Sequence, residues 1–245
     1  MHNDRASDKQ YTEGIAVRGG FLGWLDNYWY HYKWITLGVA FFLLVGIICT
    51  VQACNKEKED LIFVYAGRNQ LSAAEAEDVC KVFEAICPED FDGNGKKQIS
   101  MSHYCILSEA QIKERQAETD ENGDAVYFDN SYNTNQYDTY YSYIMTGESS
   151  VLLVDPWLFE SLVAGDRLME LEEVLGYVPV GAISEYGITL GDTAIYEQYG
   201  VMKLIPEDTV ICLLRPYFAG KSSKQEYYSY EKKMFEALVS FGKED

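Results

Sequence analysis

From Trp34 to Cys54 the chain carries no charged side chain. This run of 21 residues has the core ITLGVAFFLLVGIICTV. At ~1.5 Å per helical residue it is about 31 Å long, enough to cross the hydrocarbon of a bilayer. A transmembrane helix over 34–54 is therefore the first expectation. Trp24, Tyr28, Trp29, Tyr30, Tyr32 and Trp34 lead into it, an aromatic cluster suited to the headgroup level. Phe21, Leu22, Leu25, Tyr28, Trp29 and Tyr32 recur at helical spacing, which predicts a short amphipathic helix along the surface before the span.

A cleaved signal peptide has a shorter apolar region and a small-residue cleavage site. The long aromatic lead here favours a retained signal anchor. Val51-Gln52-Ala53-Cys54 loosely resembles a bacterial lipobox, which makes Cys54 a candidate for lipidation, although Gln52 departs from that pattern. Arg18 and Lys33 on one side of the span face Lys56, Lys58 and Arg68 on the other. Basic residues are thus nearly balanced and do not set the orientation.

Charge changes sharply at the same place. The chain has 245 residues and a net charge of −19, yet the charges of residues 1–54 cancel, so the whole excess lies beyond Cys54. Such a shift marks a boundary between environments. It divides the chain into a cytoplasmic or juxtamembrane segment (1–33), the span (34–54), a charged stalk (55–60) and an acidic domain (61–245) expected outside the cytoplasm. Nucleic acid is excluded as a partner, because binding phosphate needs a basic face. Six cysteines, scattered as they are, do not make a disulfide-stapled miniprotein.

Within the acidic domain, apolar runs alternate with helical patterns. Leu61–Gly67 reads as a buried parallel strand. Ser72 with Glu75 forms a capping-box pattern ahead of a helix reaching Ile86. Strands follow at Gln98–Leu107, Ser150–Asp155 and Thr209–Arg215, and helices at Glu109–Glu118, Thr134–Met145, Pro156–Val163 and Gln225–Phe241. Thr119–Tyr132 reads as an exposed loop. The pattern predicts an α/β domain with one mainly parallel sheet flanked by helices.

The segment SVLLVDPWLFESLVAGDRLMELEEVL, Ser150–Leu175, resembles part of the extracellular solute-binding proteins of the type II periplasmic-binding class. The strand Leu61–Gly67 and the helix after Ser72 are similar to the start of that family's first lobe. Such proteins hold a ligand between two α/β lobes. Residues 176–208 stand where a second lobe would be inserted and are too short to form one, so the resemblance implies a single membrane-anchored lobe of bacterial type.

Few chemical motifs stand out. Of three histidines, His2, His31 and His103, only His103 lies in the acidic domain. That is poor supply for a His/Cys zinc site or a Ser–His–Asp relay. No Walker-type loop or G-x-G-x-x-G fingerprint occurs. Cys105 and Cys212 sit in apolar strands and pair only if those strands adjoin. Asp90, Asp92, Asn94 and Gly95 match the first half of an EF-type calcium loop. Lys97 and Met101 break its second half, and the same residues also favour a plain turn. Asp120–Asp124 is a weaker version.

Ligands of parallel α/β sheets bind beyond the carboxyl ends of strands. That rule makes Tyr65, Gly67, Arg68, Asp155 and Trp157 the candidate ligand-binding residues, with helix capping as the alternative role for Asp155. Tyr137–Tyr143 and Tyr227–Tyr230 offer either packing faces or a protein-binding surface. No catalytic residue is assigned. The expected role is a membrane-anchored, non-catalytic binding or adaptor module, with a protein partner or a small solute as ligand and calcium as the only conceivable cofactor. A receptor completed by dimerisation or a second subunit is the alternative, and a carboxylate-based hydrolase stands last.

Overall fold

The computed structural model describes residues 20–54, 59–118, 128–216 and 222–242, without the side chains at 22, 52–54, 222 and 223. Two compact units divide the chain, one ending at Glu57 and one beginning at Lys58.

The first unit is one helix, α1, over Phe21–Cys54. The expected surface helix and the span are thus continuous. Phe21, Trp24, Tyr28 and Tyr32 stack one turn apart, with ring centroids 6.1, 5.6 and 5.3 Å apart, so the aromatic lead propagates helix straight into the apolar run. Gly23–Val51, 29 residues, is long and apolar enough to cross a membrane, and none of its apolar window is buried against protein. Cys54 closes α1; its side chain lies outside the described residues, as does the Asp120–Asp124 loop.

The second unit is built on β1 (Leu61–Gly67), β2 (Ile99–Cys105), β3 (Val151–Val154), β4 (Ala182–Ser184), β5 (Gly187–Thr189) and β6 (Val210–Leu213), in the order β2-β1-β3-β6-β5-β4. β1 pairs in parallel with β2 and β3, while β6, β5 and β4 add antiparallel. The sheet is therefore mixed, not mainly parallel. The run Val-Ile-Cys-Leu of β6 is buried at every position, and a strand covered on both faces reads as a continuous apolar run whichever way it points.

Alternation along β1 divides the core in two. Leu61, Phe63 and Tyr65 face α2 (Ala73–Ile86) and the closing helix over Ser222–Ser240, whereas Val64 and Ala66 face the helices over Asn130–Thr146 and Pro156–Ala164. In chain order these helices are α2, α3 (Glu109–Ala117), α4 (Asn130–Thr146), α5 (Pro156–Ala164), α6 (Leu171–Leu175), α7 (Ala194–Gln198) and α8 (Ser222–Ser240). Ser72 and Glu75 cap α2 reciprocally as expected, and Ser108 with Gln111 does the same for α3.

Residues 176–208 complete this sheet. They supply the β4–β5 hairpin and then two 3-10 turns and α7, whose Leu190, Ile195, Met202 and Ile205 are buried on the α2 face. Cys105 and Cys212 lie on β2 and β6, with β1 and β3 between them, and both are free thiols.

Candidate strand-end crevice

The chain goes from β1 to β2 on one side and then returns to place β3 on the other side of β1. The carboxyl ends of β1 and β3 are therefore the point where the strand order reverses, the usual seat of a ligand in an open α/β sheet. Asp155 N–H donates to the Ala66 carbonyl at 2.8 Å, which fastens the two strand ends together.

Asp155 follows β3 and caps α5, its Oδ1 accepting from Trp157 N–H at 3.4 Å. Its Oδ2 accepts from Arg68 Nη1 at 3.3 Å and from Gln111 Nε2 at 3.0 Å. Arg68, one residue past β1, also grips Asp208 through two bonds, Nη1–Oδ2 at 2.8 Å and Nη2–Oδ1 at 2.5 Å. The Asp155 side chain is 5% exposed, against 36% for Arg68 and 46% for Asp208. The hydrogen bond to Asp208 raises the Arg68 pKa further, with Asp155 adding to it. The capping role and the crevice role of Asp155 thus coexist in one side chain.

The other candidates divide. Gly67 ends β1 where a Cβ would lie 2.9 Å from the Tyr65 hydroxyl, so only glycine leaves that hydroxyl in place. Tyr65 is fully buried beneath it and accepts Asn69 N–H at 3.3 Å. Burial drives its pKa up. Trp157 lies across the sheet from Tyr65, stacked on Tyr137 with centroids 6.1 Å apart, and its buried indole N–H has no hydrogen-bond partner among the described residues. Tyr65 and Trp157 therefore pack the two sides of the strand ends, while Gly67, Arg68 and Asp155 form the rim.

A cleft of about 660 Å³ opens beside that rim, between the ends of β1 and β2, α3 and the turn over Gly200–Leu204. Arg68, Asn69, Gln70, Gln111, Arg115 and Lys203 line it together with Glu75, Glu114 and Glu118. Asn69 Nδ2 donates to the Leu204 carbonyl at 2.9 Å and fixes one wall to the other. Among the described residues, neither Arg115 nor Lys203 has an ion pair.

The calcium-like loop sits at the amino end of β1, away from this rim. Asp90 and Asp92 come together with Asp60, which the sequence did not single out, with one carboxylate oxygen of each inside a 4.8 Å cluster. Their oxygens already serve backbone donors. Asp60 Oδ1 accepts from Phe91 and Asp92 N–H and Oδ2 from Gln98 N–H, while Asp90 accepts from Gly93 and Gly95. The Gly95 bond is the main cause of the lowered Asp90 pKa. Asn94 turns back on the loop, accepting Lys96 N–H and donating to Asp92. Three carboxylates are a donor set that a hard cation accepts; the same geometry also stands as a turn pinned by Asp60.

Glu231 is a second buried carboxylate outside the sequence reading. It projects from α8 and accepts Ser150 N–H at 2.5 Å at the start of β3. Burial pushes its pKa up to about 7. The signal lay in the sequence, since Tyr227, Glu231, Met234, Phe235 and Leu238 share one helical stripe. The tyrosines of α4 are chiefly packing: Tyr140 is buried and meets Tyr104 with centroids 6.0 Å apart, while Tyr132 and Tyr141 remain exposed. Burial raises the thiol pKa of Cys87 and pushes that of Cys80 up to about 12, so neither is an activated nucleophile.

Comparison of the chain with protein-family models, curated proteins and solved structures finds no match.

Proposed function

We propose that this chain is a bacterial membrane protein whose amino-terminal helix anchors an extracytoplasmic, non-catalytic binding module. The module is a single α/β lobe of the solute-binding-protein kind, and it takes its ligand in the strand-end cleft beside Arg68. The observation that carries this reading is the position of the cleft: it opens beyond the carboxyl ends of β1 and β2, next to the point where the strand order reverses, on a rim held rigid by the Arg68–Asp155–Gln111 contacts. A preformed polar concavity at such a point suits recognition. Arg68 is committed to Asp155 and Asp208 and acts as a strut, which leaves Arg115 and Lys203 to meet an incoming group.

A catalytic role finds less support. Asp155 and Asp208 are both engaged by Arg68, so neither stands free as a base. The anchor would hold the module near partners in the same membrane and raise its effective concentration there.

The test is a thermal-shift panel on residues 58–245 with sugars, amino acids, small anions and short peptides. A ligand that binds only the folded form stabilises it by ~2.7 kcal/mol at a hundredfold excess over its dissociation constant. The expected result is a saturable rise that is lost in the Arg115→Ala/Lys203→Ala double variant. A rise that survives in that variant refutes the cleft as the site, and a melt that no compound moves refutes small-ligand binding.

A further inference from the structure

The sheet has two edges, and they are built differently. β4 is three residues long, and its register with β5 slips between Ala182 and Ser184. Short length and irregularity both discourage further pairing. β2 is seven residues long, pairs with β1 in unbroken register from Leu61↔Ile99 to Gly67↔Cys105, and reads ISMSHYC. It has no proline, lysine, arginine or carboxylate to guard it.

Successive residues of a strand turn their backbone groups to alternate sides. Leu61 N–H donates to the Gln98 carbonyl and Ile106 N–H to the Gly67 carbonyl. Ser100, Ser102 and Tyr104 therefore address β1, and Met101, His103 and Cys105 address the outside. Among the described residues, no hydrogen bond satisfies the outward N–H groups of those three. Ile99, the next outward position, gives its N–H to Glu84 Oε1 at 3.1 Å.

Such an edge accepts an extended backbone, and charge decides whose. The adjoining helix α2 carries Glu75, Glu77, Asp78 and Glu84 against Lys81, and Lys81 is already paired with Glu77 and Asp78. A second copy would bring the same −19 against itself, whereas a lysine- or arginine-rich segment is attracted. Beyond Cys105 the edge runs into the cleft wall, where Glu114 and Glu118 stand on either side of Arg115, so the acidic face that flanks the edge is that of α2. We propose that the outer edge of β2 is a strand-addition site for an extended, cationic segment of a partner protein. Main-chain bonds to Met101, His103 and Cys105 would hold the segment, and the flanking carboxylates would select its charge. This surface is independent of the small-ligand reading of the cleft.

The full chain in lipid nanodiscs, titrated with a soluble peptide alternating lysine and valine, tests the proposal. Hydrogen exchange at the amides of Met101, His103 and Cys105 is expected to slow on the order of tenfold or more as the peptide binds. The same peptide methylated on alternate backbone nitrogens, and one alternating glutamate and valine, should leave exchange unchanged. His103→Pro removes one outward donor and spares the ladder to β1, and should weaken binding about tenfold. Equal binding by the methylated peptide overturns the proposal. So does protection of those amides in the free chain that rises with protein concentration, because a second copy then occupies the edge. If His103→Pro does not fold, the methylated-peptide comparison on the unaltered chain still decides.

Discussion

Glu231 gives the folded domain a pH dependence opposite to that of most carboxylates. The residue is 2% exposed and its pKa rises from 4.5 to about 7, chiefly because burial penalises the charged form. Below pH 4.5 the folded and unfolded chains both hold the proton. Between pH 4.5 and 7 the unfolded chain releases it while the folded chain keeps it, so the folded state binds more protons and stability falls as pH rises. The loss is complete above pH 7 and amounts to about 3 kcal/mol, at 1.36 kcal/mol for each unit between the two values. Glu231→Gln keeps an oxygen for the Ser150 N–H and cannot ionise. Urea melts of residues 58–245 at pH 5 and pH 8 should therefore show the variant gaining on the parent by about 2–3 kcal/mol. Other carboxylates, such as Asp90 with its lowered pKa, contribute equally to both proteins and cancel in the difference. A difference that is flat with pH, or that favours the parent at pH 8, refutes the reasoning.

Three further outcomes follow from the geometry. Arg68→Met strands the buried Asp155 carboxylate and should lower stability by about 2–4 kcal/mol, whereas Asp208→Asn, at the exposed end of the same contact, should cost less than about 1 kcal/mol in chemical denaturation. Gly67→Ala forces a Cβ against the Tyr65 hydroxyl and should cost about 1–3 kcal/mol, part of which Tyr65→Phe restores in a double-mutant cycle; additive effects would refute the clash. Asp60→Ala frees the N–H groups of Phe91, Asp92 and Gln98 and should cost about 2–3 kcal/mol. As a pinned turn, the loop should melt at the same temperature with and without millimolar calcium, and a saturable rise abolished by Asp92→Asn would instead make it a cation site.

The legible parts of this fold are the local ones. Ser72 with Glu75, and Asp155 followed by Pro156, announce helix starts within three residues, and both hold in the structure. The apolar run of β6 was legible as a strand, but its direction was not, because burial on both faces erases the difference. The hairpin in residues 176–208 was missed because β4 and β5 are three residues each, too short for alternation to show. Site partners fail for a related reason. Arg68 meets Asp208 across 140 positions and Asp155 meets Gln111 across 44, distances at which no spacing rule applies.

The two ends of the sheet use carboxylates in opposite ways, and this bears on where a ligand binds. At the amino ends of β1 and β3, Asp60 and Glu231 are nearly fully buried and accept backbone N–H groups, Asp60 holding the 90–98 loop and Glu231 holding α8 to Ser150. Both carboxylates are thus engaged by backbone donors of the fold. At the carboxyl ends, Asp155 and Asp208 hold a guanidinium, and the cleft beside it keeps Arg115 and Lys203 without ion pairs among the described residues. An incoming group can gain contacts only where donors or acceptors are left over. The carboxyl end and the outer edge of β2 have them, whereas the Asp60 and Glu231 carboxylates already serve backbone N–H groups of the fold.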